Sequence, residues 1–186
     1  MPRRHRGTEP KKMQDWLSDS TTPPWPGPAN KGFVHYRFGA ALQSIHPQVR
    51  DAIAEFHDND QTIWFTGHSL GGALASLAAL RLRFEEPGLL ADGVYTYGRP
   101  RVCDGTPAKA HDEAFAGRTH RFVNNNDIVP QLPVDPPFRH VEKLHYIDSN
   151  GELRDSVPFV GGWPTGPGVS PPTPSPPPPT ACATTS

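Results

Sequence analysis

The sequence predicts an α/β fold in which helices flank a mainly parallel β-sheet. Two observations support that prediction. Short β-branched and aromatic runs occur along the chain, and between them lie segments whose apolar residues recur every three or four positions. The alternation of strand, helix and strand favours parallel pairing, because a chain that returns to a parallel sheet needs a crossover connection, usually a helix.

The first third of the chain contains a predicted helical turn, a loop and a longer helix. The stretch MQDWLSD, Met13 to Asp19, has the spacing of a short amphipathic turn, and the loop TTPPWPGPANKG follows it. A helix is predicted from Ala41 to the sequence HDND, with Pro47 in its first turn or bending it. Its apolar residues fall at helical spacing: Leu42, Ile45, Val49, Ile53 and Phe56.

The predicted sheet follows. The run TIWFT at 62–66 is short, β-branched and aromatic, which is typical of a buried strand. A helix comes directly after it and carries Leu70, Leu74, Leu77 and Leu80 on one side. Further strands are predicted at GVYTYG (93–98), THRFVN (119–124) and KLHYID (143–148), the last as an edge strand before the turn SNGEL.

The C-terminal composition marks a domain boundary. Nine of the seventeen residues from Pro164 to Thr180 are proline, which has a fixed φ and no amide donor. The sequence therefore predicts a folded domain at 1–162 and an extended, disordered proline-rich tail at 163–186. A docking segment for a proline-binding protein partner is the alternative interpretation of the tail.

Charge and cysteine content restrict the function and the location. Lys and Arg number 18 against 19 Asp and Glu, so no nucleic-acid partner is indicated. The start MPRRHRGTEP has no apolar stretch, which predicts no signal peptide, and the apolar run within 70–80 is too short for a transmembrane segment. Cys103 and Cys182 are expected to be unpaired thiols, and a cytosolic location is the default expectation.

The stretch Gly67-His68-Ser69-Leu70-Gly71 matches the pattern G-x-S-x-G between a predicted strand and a predicted helix. A serine at such a junction takes a strained backbone angle and projects its hydroxyl out of the sheet. The two glycines are expected to remove side chains that would clash where strand and helix cross. Amides at the helix start favour an oxyanion at the same point. Ser69 is therefore the predicted nucleophile, and a glycine-rich turn without chemistry is the alternative.

The stretch TGHSLGGALASLAAL closely resembles the class 3 (fungal-type) lipase family of the α/β-hydrolase fold. Other stretches resemble that family in the same order along the chain, from about Arg6 to Ile147. RGTEPKKMQDWLSD is similar to its arginine-glycine and lid segments, and VHYRFGAAL to its His-x-Gly-Phe segment, with Arg37 where glycine is usual. VYTYGRPRVCD resembles its tyrosine-glycine-x-proline-arginine turn, and RFVNNNDIVPQLP its aspartate loop.

The resemblance implies roles for further residues. Asp127, in the aspartate loop, corresponds to the acid of a serine-histidine-aspartate triad, which the fold arranges in that chain order. Thr8 and Leu70 correspond to the two oxyanion-hole residues. The family's triad histidine lies in a later segment that has no counterpart here. His140 and His145 are the histidines that follow Asp127, and neither is assigned as the base.

The resemblance also implies an incomplete domain. The family has a buried apolar strand before the arginine-glycine pair, where this chain has MPRRH, and a histidine-bearing segment near the end, where this chain has GGWPTGPGVS. The sequence therefore predicts a domain that is truncated at both ends. Trp16 and Leu17 match the family's lid, an amphipathic flap that opens at a lipid surface, with an ordinary surface turn as the alternative.

These residues predict a lipase-like serine carboxyl-ester hydrolase. Such an enzyme acts on acylglycerols or related lipid esters through an acyl-enzyme, at a lipid–water interface. The histidines lack the spacing of metal ligands, so neither a metal nor an organic cofactor is expected. The alternative is a non-catalytic lipase-like binding module, or a degenerate fragment that lacks the triad histidine.

Overall fold

The computed structural model describes residues 23–58, 61–133, 135–141 and 143–156. The helical turn predicted at 13–19, the lid residues Trp16 and Leu17, and the tail at 163–186 lie outside the described residues. The strands are β1 (Trp25–Pro26), β2 (Phe33–Val34), β3 (Trp64–His68), β4 (Gly93–Tyr97), β5 (Thr119–Asn124), β6 (Lys143–Ile147) and β7 (Leu153–Arg154). The α-helices are α1 (Tyr36–Phe56), α2 (Leu70–Glu85) and α3 (Gly105–Ala114), and 3₁₀ turns lie at Pro28–Asn30 and Val129–Gln131.

Five strands form the main sheet in the order β3-β4-β5-β6-β7. The first four run parallel, which confirms the predicted mainly parallel sheet, and β7 pairs antiparallel with β6. The prediction that KLHYID forms the edge strand is wrong, because Leu153 and Arg154 pair with Ile147 and Tyr146. The turn after β6 is short enough to return the chain as a hairpin partner.

The helices α2 and α3 lie on the same face of the sheet. Each connects one strand to its next neighbour in the same direction across the sheet, from β3 to β4 and from β4 to β5. Since such crossovers are right-handed, both helices emerge on one side. Helix α2 packs on β3 and β4, and α1 and α3 pack on α2. The core lies between them, and its most buried apolar members include Phe38, Ala73, Leu80, Leu82, Val94 and Phe115.

The first strand of the sheet, β3, is exposed on one face. TIWFT was predicted to be a buried strand at 62–66, but the strand runs from Trp64 to His68 and its residues alternate between exposed and half-buried. Trp64, Thr66 and His68 point away from α2, and the Trp64 side chain is 54% exposed. A short apolar run cannot distinguish a strand covered on both faces from one covered on a single face.

Helix α1 begins five residues before the predicted start at Ala41. The extra turn buries Phe38 in the core, and Gly39 leaves room for the ring of Trp25, which would overlap a side chain there. Pro47 lies in the interior of the helix rather than in its first turn, where it removes the hydrogen bond that an amide would donate to the Gln43 carbonyl. The loop predicted around Trp25 contains the short antiparallel pair β1–β2 instead.

Helix α3 has no counterpart among the predicted elements. Asp104 caps its N-terminus and accepts a hydrogen bond from the Thr106 amide at 3.1 Å. An aspartate followed by a glycine and a proline is an N-terminal signal that the sequence contains. The apolar spacing of the helix is weak, because its buried residues are Pro107, Ala108 and His111.

His111 on α3 makes folding sensitive to acid. Its ring packs against Phe115 with centroids 4.8 Å apart, and its nitrogens have no hydrogen-bond partner among the described residues. Burial, and then the positive charge of Arg99, lowers the pKa of His111 to about 3. An unfolded histidine titrates near 6.5, so between these values the unfolded chain binds a proton that the folded chain does not. The stability that depends on neutral His111 is complete above pH 6.5 and falls below it.

We therefore expect the free energy of unfolding to fall by about 1.4 kcal/mol per pH unit below pH 6.5 on account of His111. His111→Leu replaces the imidazole with an apolar side chain of similar size. It should therefore make the free energy of unfolding depend less on pH in that range. Denaturant unfolding at a series of pH values measures the slope. Lys109→Leu, an exposed change on the same helix, is the matched control. An unchanged slope in His111→Leu would contradict the prediction.

Candidate functional site

Ser69 forms the sharp turn between β3 and α2. Its backbone has φ 53° and ψ −122°, a conformation that residues with a side chain rarely adopt and that costs of order 1–3 kcal/mol. Two hydrogen bonds hold it, since the Ser69 amide donates to the Tyr97 carbonyl at 2.9 Å and the Ser69 carbonyl accepts from the Ala73 amide at 3.2 Å. The strained turn predicted from the sequence is confirmed.

Two glycines near Ser69 allow β3 and α2 to cross closely. They are Gly67 and Gly72, whereas the sequence predicted Gly67 and Gly71. A Cβ at Gly67 would overlap the backbone of Gly71 and Gly72 at less than 3.0 Å, so the expectation for Gly67 is confirmed. A Cβ at Gly71 would meet no described atom within 4 Å, so the expectation for Gly71 is wrong. Gly72 is the second close position, because its Cβ would lie 2.9 Å from the Gly67 carbonyl oxygen.

The N-terminus of α2 lies directly at Ser69. The helix begins at Leu70, and the amides of its first turn have no intrahelical acceptor. The Ser69 side chain makes no capping hydrogen bond to these amides. The Leu70 amide therefore has the location expected of an oxyanion donor, and the helix dipole favours negative charge there. Thr8, the other expected donor, lies outside the described residues.

Asp127 lies in the loop after β5. The loop turns at Asn125, whose φ is 39°, and the Asp127 amide donates to the Asn124 carbonyl at 2.9 Å. One carboxylate oxygen, Oδ1, accepts the Val129 amide at 3.0 Å and so fixes the side chain. The other oxygen, Oδ2, lies against Gly98, where a Cβ would be only 2.5 Å away. Gly98 has φ 55°, and both facts require glycine at this position.

Ser69 and Asp127 lie at the same end of the sheet. The Ser69 amide is bonded to Tyr97, and the Asp127 carboxylate touches the next residue, Gly98. Both loops follow parallel strands at their carboxyl ends, where such folds form ligand sites. The sequence predicted a role for each of these two residues from a separate motif. In the structure, both contact residues at the end of β4.

A cavity of about 510 Å³ lies at this end of the sheet, and Ser69 is not among its lining residues. Asp127, His68, Tyr97 and Phe122 are among its lining residues. The Nε2 atom of His68 would be 3.4 Å from a Cβ on Gly98, the same point that Asp127 Oδ2 approaches. The His68 side chain is exposed and faces the cavity. The alternation of β3 was the sequence signal that could have indicated this.

His140 is held away from such a role. Its Nε2 donates to the Pro130 carbonyl at 2.7 Å, and its Nδ1 is buried without a hydrogen-bond partner among the described residues. Burial, and then the positive charges of Arg121, Arg99 and Arg101, keeps the pKa of His140 well below its usual value. A ring that is fixed to a backbone carbonyl and resists protonation has a structural role.

His145 belongs to a separate cluster on β6. Its Nε2 lies 2.9 Å from Nδ1 of His120, and its Nδ1 lies 3.8 Å from Asp155. Its ring stacks on Phe122 with centroids 4.9 Å apart. Burial, and then the charges of His120 and Lys143, lowers the pKa of His145, while Asp155 opposes the shift. The Nε2 atom is therefore engaged by His120, whereas Nδ1 is buried without a hydrogen-bond partner among the described residues.

The family model described as Lipase (class 3) matches residues 4–136, which is more than half of the chain. This chain belongs to the class 3 lipase family. The matched range contains Ser69, Leu70, Asp127 and Thr8. It confirms the family resemblance predicted from the sequence.

Individual class 3 lipases match over part of their length. The chain is 34% identical over 148 residues to a lipase of Rhizomucor miehei, covering 74% of this chain and 39% of that protein. It is 33% identical over 137 residues to a secreted mono- and diacylglycerol lipase of Malassezia restricta, covering 70% and 42%. The chain thus spans about two fifths of the length of these relatives.

A solved lipase structure supports the fold. A triacylglycerol lipase whose structure is titled as having a serine protease triad at its catalytic centre aligns with a TM-score of 0.60 and 31% identity. The alignment covers 76% of this chain and 55% of that one. The α/β-hydrolase type of fold predicted for this chain is confirmed, in its mainly parallel sheet with flanking helices.

The default expectation of a cytosolic location is wrong. The relative from Malassezia restricta and further relatives from Gibberella zeae and Fusarium solani are all named as secreted lipases. The expectation rested on the lack of an apolar leader and on unpaired cysteines. Cys103 is buried, and a buried cysteine is not informative about the compartment. Among the described residues, no helix is both long and apolar enough to cross a bilayer.

Proposed function

We propose that this chain is a lipase-like serine carboxyl-ester hydrolase that acts on acylglycerols or related lipid esters. The observation that carries the proposal is the backbone of Ser69, with φ 53° at the start of α2, at the same end of the sheet as the carboxylate of Asp127. A strained serine is retained where the exposure of its hydroxyl is used. The names of the relatives, which are lipases of acylglycerols, support the substrate class.

The proposed reaction proceeds through an acyl-enzyme. Ser69 Oγ attacks the ester carbonyl while its proton passes to a base, and the carbonyl oxygen becomes an oxyanion. The Leu70 amide, together with Thr8, donates a hydrogen bond to that oxyanion, and one such donor is worth about 3 kcal/mol in the transition state. The alcohol leaves with the proton, and water then releases the fatty acid from Ser69. Asp127 orients the base and stabilises its positive charge.

We propose a base by comparing the hydrogen-bond partners of the histidines near Asp127. His140 is bonded to Pro130, and His145 is paired with His120. Among the described residues, His68 is the histidine that lines the cavity with Asp127, so we assign it as the proton acceptor to be tested. A chain without a working base retains only the rate that binding and the oxyanion hole provide, about 10³–10⁴ over water in serine proteases.

Labelling with a fluorophosphonate probe tests the proposal, because the probe modifies a serine that a base has activated. We expect the full chain to be labelled and Ser69→Ala to be unlabelled. His68→Gln should reduce the labelling rate by at least about 100-fold, because the base is the group that activates Ser69. His145→Gln, the matched control, should leave the rate unchanged. Equal loss in both histidine variants would indicate a structural effect and contradict the role of His68.

A second candidate function is a non-catalytic module that binds lipid or protein. The engagement of both His140 and His145 in other contacts favours it, because neither can complete a triad with Asp127. A sample that melts cooperatively and binds vesicles of diacylglycerol and phosphatidylcholine, but shows no labelling of Ser69, would support this function. A sample without a cooperative transition would count against both candidates.

We also propose that the reaction takes place at a lipid–water interface. Trp16 and Leu17 form the flap that opens at a lipid–water interface, as the resemblance implies. The proline-rich tail at 163–186 is a spacer or a docking segment for a protein partner. Hydrolysis that rises sharply when a short-chain ester exceeds its solubility would support interfacial opening, and Trp16→Ser should weaken that rise.

A further inference from the structure

The segment that follows β4 contacts the loop at 125–133, which we call the Asp127 loop, at two points. The first residue of the segment, Gly98, lies against Oδ2 of Asp127. Three residues later, the Arg101 amide donates to the Leu132 carbonyl at 2.6 Å. Arg101 therefore lies against the part of the loop that follows Asp127, and the proposed reaction assigns it no role.

The Arg101 side chain extends this contact. Its Nη1 donates to the Gln131 carbonyl, and also to the Pro133 carbonyl at 2.9 Å. Together with the bond from its own amide, Arg101 thus binds three consecutive carbonyls of the loop. The carbonyl just before them, that of Pro130, accepts a hydrogen bond from His140 Nε2 at 2.7 Å.

A guanidinium group is suited to this arrangement. Leu132 and Pro133 are buried, and Arg101 itself is half-buried. Buried carbonyls in a loop need donors that a neighbouring strand does not supply. The guanidinium presents several N–H groups in a rigid plane, so one side chain can fix more than one carbonyl at a defined position.

The hydrogen bonds of Arg101 are connected to the Asp127 carboxylate through the 3₁₀ turn at Val129–Gln131. The Leu132 amide donates back across this turn to the Val129 carbonyl at 3.1 Å. At the start of the turn, the Val129 amide donates to Asp127 Oδ1 at 3.0 Å. Because the turn is short and internally bonded, fixing its end also fixes the amide that orients the carboxylate.

The other end of the Asp127 loop is held independently. The Asn125 amide donates to the Ile147 carbonyl at 2.7 Å, and the Tyr146 hydroxyl donates to Asn125 Oδ1 at 3.2 Å. These bonds tie the start of the loop to β6 and do not involve Arg101. Asp127 lies between the two attachments, so loss of the Arg101 attachment would leave its carboxylate held from one side.

We propose that Arg101 is a positioning residue, which holds the Asp127 carboxylate in the orientation that a triad requires. It acts through the carbonyls of the Asp127 loop and the Val129 amide, and it does not contact the reacting atoms. Its effect on catalysis rests on the proposed function, whereas its effect on the orientation of the carboxylate does not. Leu132 packs in the core and anchors the loop without Arg101, so a variant at position 101 should still fold.

Amide hydrogen exchange of the full chain, followed by NMR, tests the orientation directly. The Val129 amide should exchange about tenfold faster in Arg101→Met, the order expected when hydrogen bonds that hold its turn are lost. Arg118→Met makes the same change at an exposed arginine and is the matched control, which should leave Val129 unchanged. The Asn125 amide, at the other attachment, should exchange at the same rate in all three proteins.

Labelling of Ser69 tests whether this orientation matters for the reaction. Arg101→Met should lower the fluorophosphonate labelling rate about 10–100-fold, because a displacement of about 1 Å far from the chemistry can cost about 100-fold. Arg101→Lys keeps the positive charge and the donors of an ammonium group, so it should recover part of the loss. In an Asp127→Asn background, Arg101→Met should cause no further loss, since both changes act on the same carboxylate.

Two outcomes would overturn the proposal. Equal exchange of the Val129 amide in Arg101→Met and the unmodified chain would show that Arg101 does not hold the carboxylate. A loss of labelling by the same factor with and without the Asp127 carboxylate would show that Arg101 acts on the fold and not through Asp127. An unmodified chain that is not labelled would contradict the proposed function alone, and the exchange rate of Val129 then decides the role of Arg101.

Discussion

Asp127→Asn is expected to reduce fluorophosphonate labelling of Ser69 by at least about 100-fold, since loss of the corresponding carboxylate from a complete triad costs about 10⁴ in rate. The reason lies in the two oxygens of Asp127. Oδ1 accepts the Val129 amide, and an asparagine oxygen can keep that bond. Oδ2 faces Gly98 and the cavity, and an amide nitrogen there removes the negative charge that stabilises a protonated histidine.

A time course of labelling, quenched at set times and followed by mass spectrometry of the Ser69 peptide, measures this effect. Asp148→Asn is the matched control, because Asp148 lies in the exposed turn before β7 and accepts backbone amides that asparagine also satisfies. The melting temperature of Asp127→Asn should stay near that of the unmodified chain. Unchanged labelling in Asp127→Asn would exclude Asp127 as the triad acid.

Gly67→Ala is expected to destabilise the fold by about 3 kcal/mol or more, the upper range for overpacking at a site that cannot relax. The added methyl group would overlap the backbone of Gly71 and Gly72, and backbone cannot rotate away as a side chain can. Relief of the overlap requires α2 to move away from β3. That shift also displaces Ser69 and the Leu70 amide, so labelling of Ser69 should be lost.

The neighbouring glycine provides a closely matched control. Gly71→Ala makes the same chemical change at a helical position where the new methyl group meets no described atom. Alanine is preferred over glycine in a helix by about 1 kcal/mol, so Gly71→Ala should be neutral or slightly stabilising. Urea unfolding of both variants gives the comparison. Equal stability of the two variants would show that the crossing of β3 and α2 does not require Gly67.

Much of the site could be predicted from the sequence because its determinants are local. The strand, the glycine, the serine and the helix of the turn follow one another within a few residues, and Ser69 has the strained backbone that this order predicts. The strand THRFVN has the bounds given by its β-branched and aromatic run, Thr119–Asn124. Local sterics and side-chain periodicity fix such features before any distant residue is involved.

The environment of the histidines could not be predicted in this way. The residues next to His68, His140 and His145 in the sequence do not reveal that the first lines the cavity, the second is bonded to Pro130 and the third is paired with His120. Those differences depend on residues ten or more positions away, brought close by the pairing of strands. The same holds for Gly71 and Gly72, where the crossing angle of β3 and α2 decides which glycine is needed.

The sequence by itself thus determined the family, the parallel strands β3 to β6 with the helices α1 and α2, and the strained turn at Ser69, and it proposed Asp127 as the partner of that serine. Only the tertiary structure decided which face of β3 is exposed and which histidine faces the cavity. The physical reason is the handedness of the crossovers. Right-handed connections in one direction place the helices on one face of the sheet, and local patterns do not reveal which face that is.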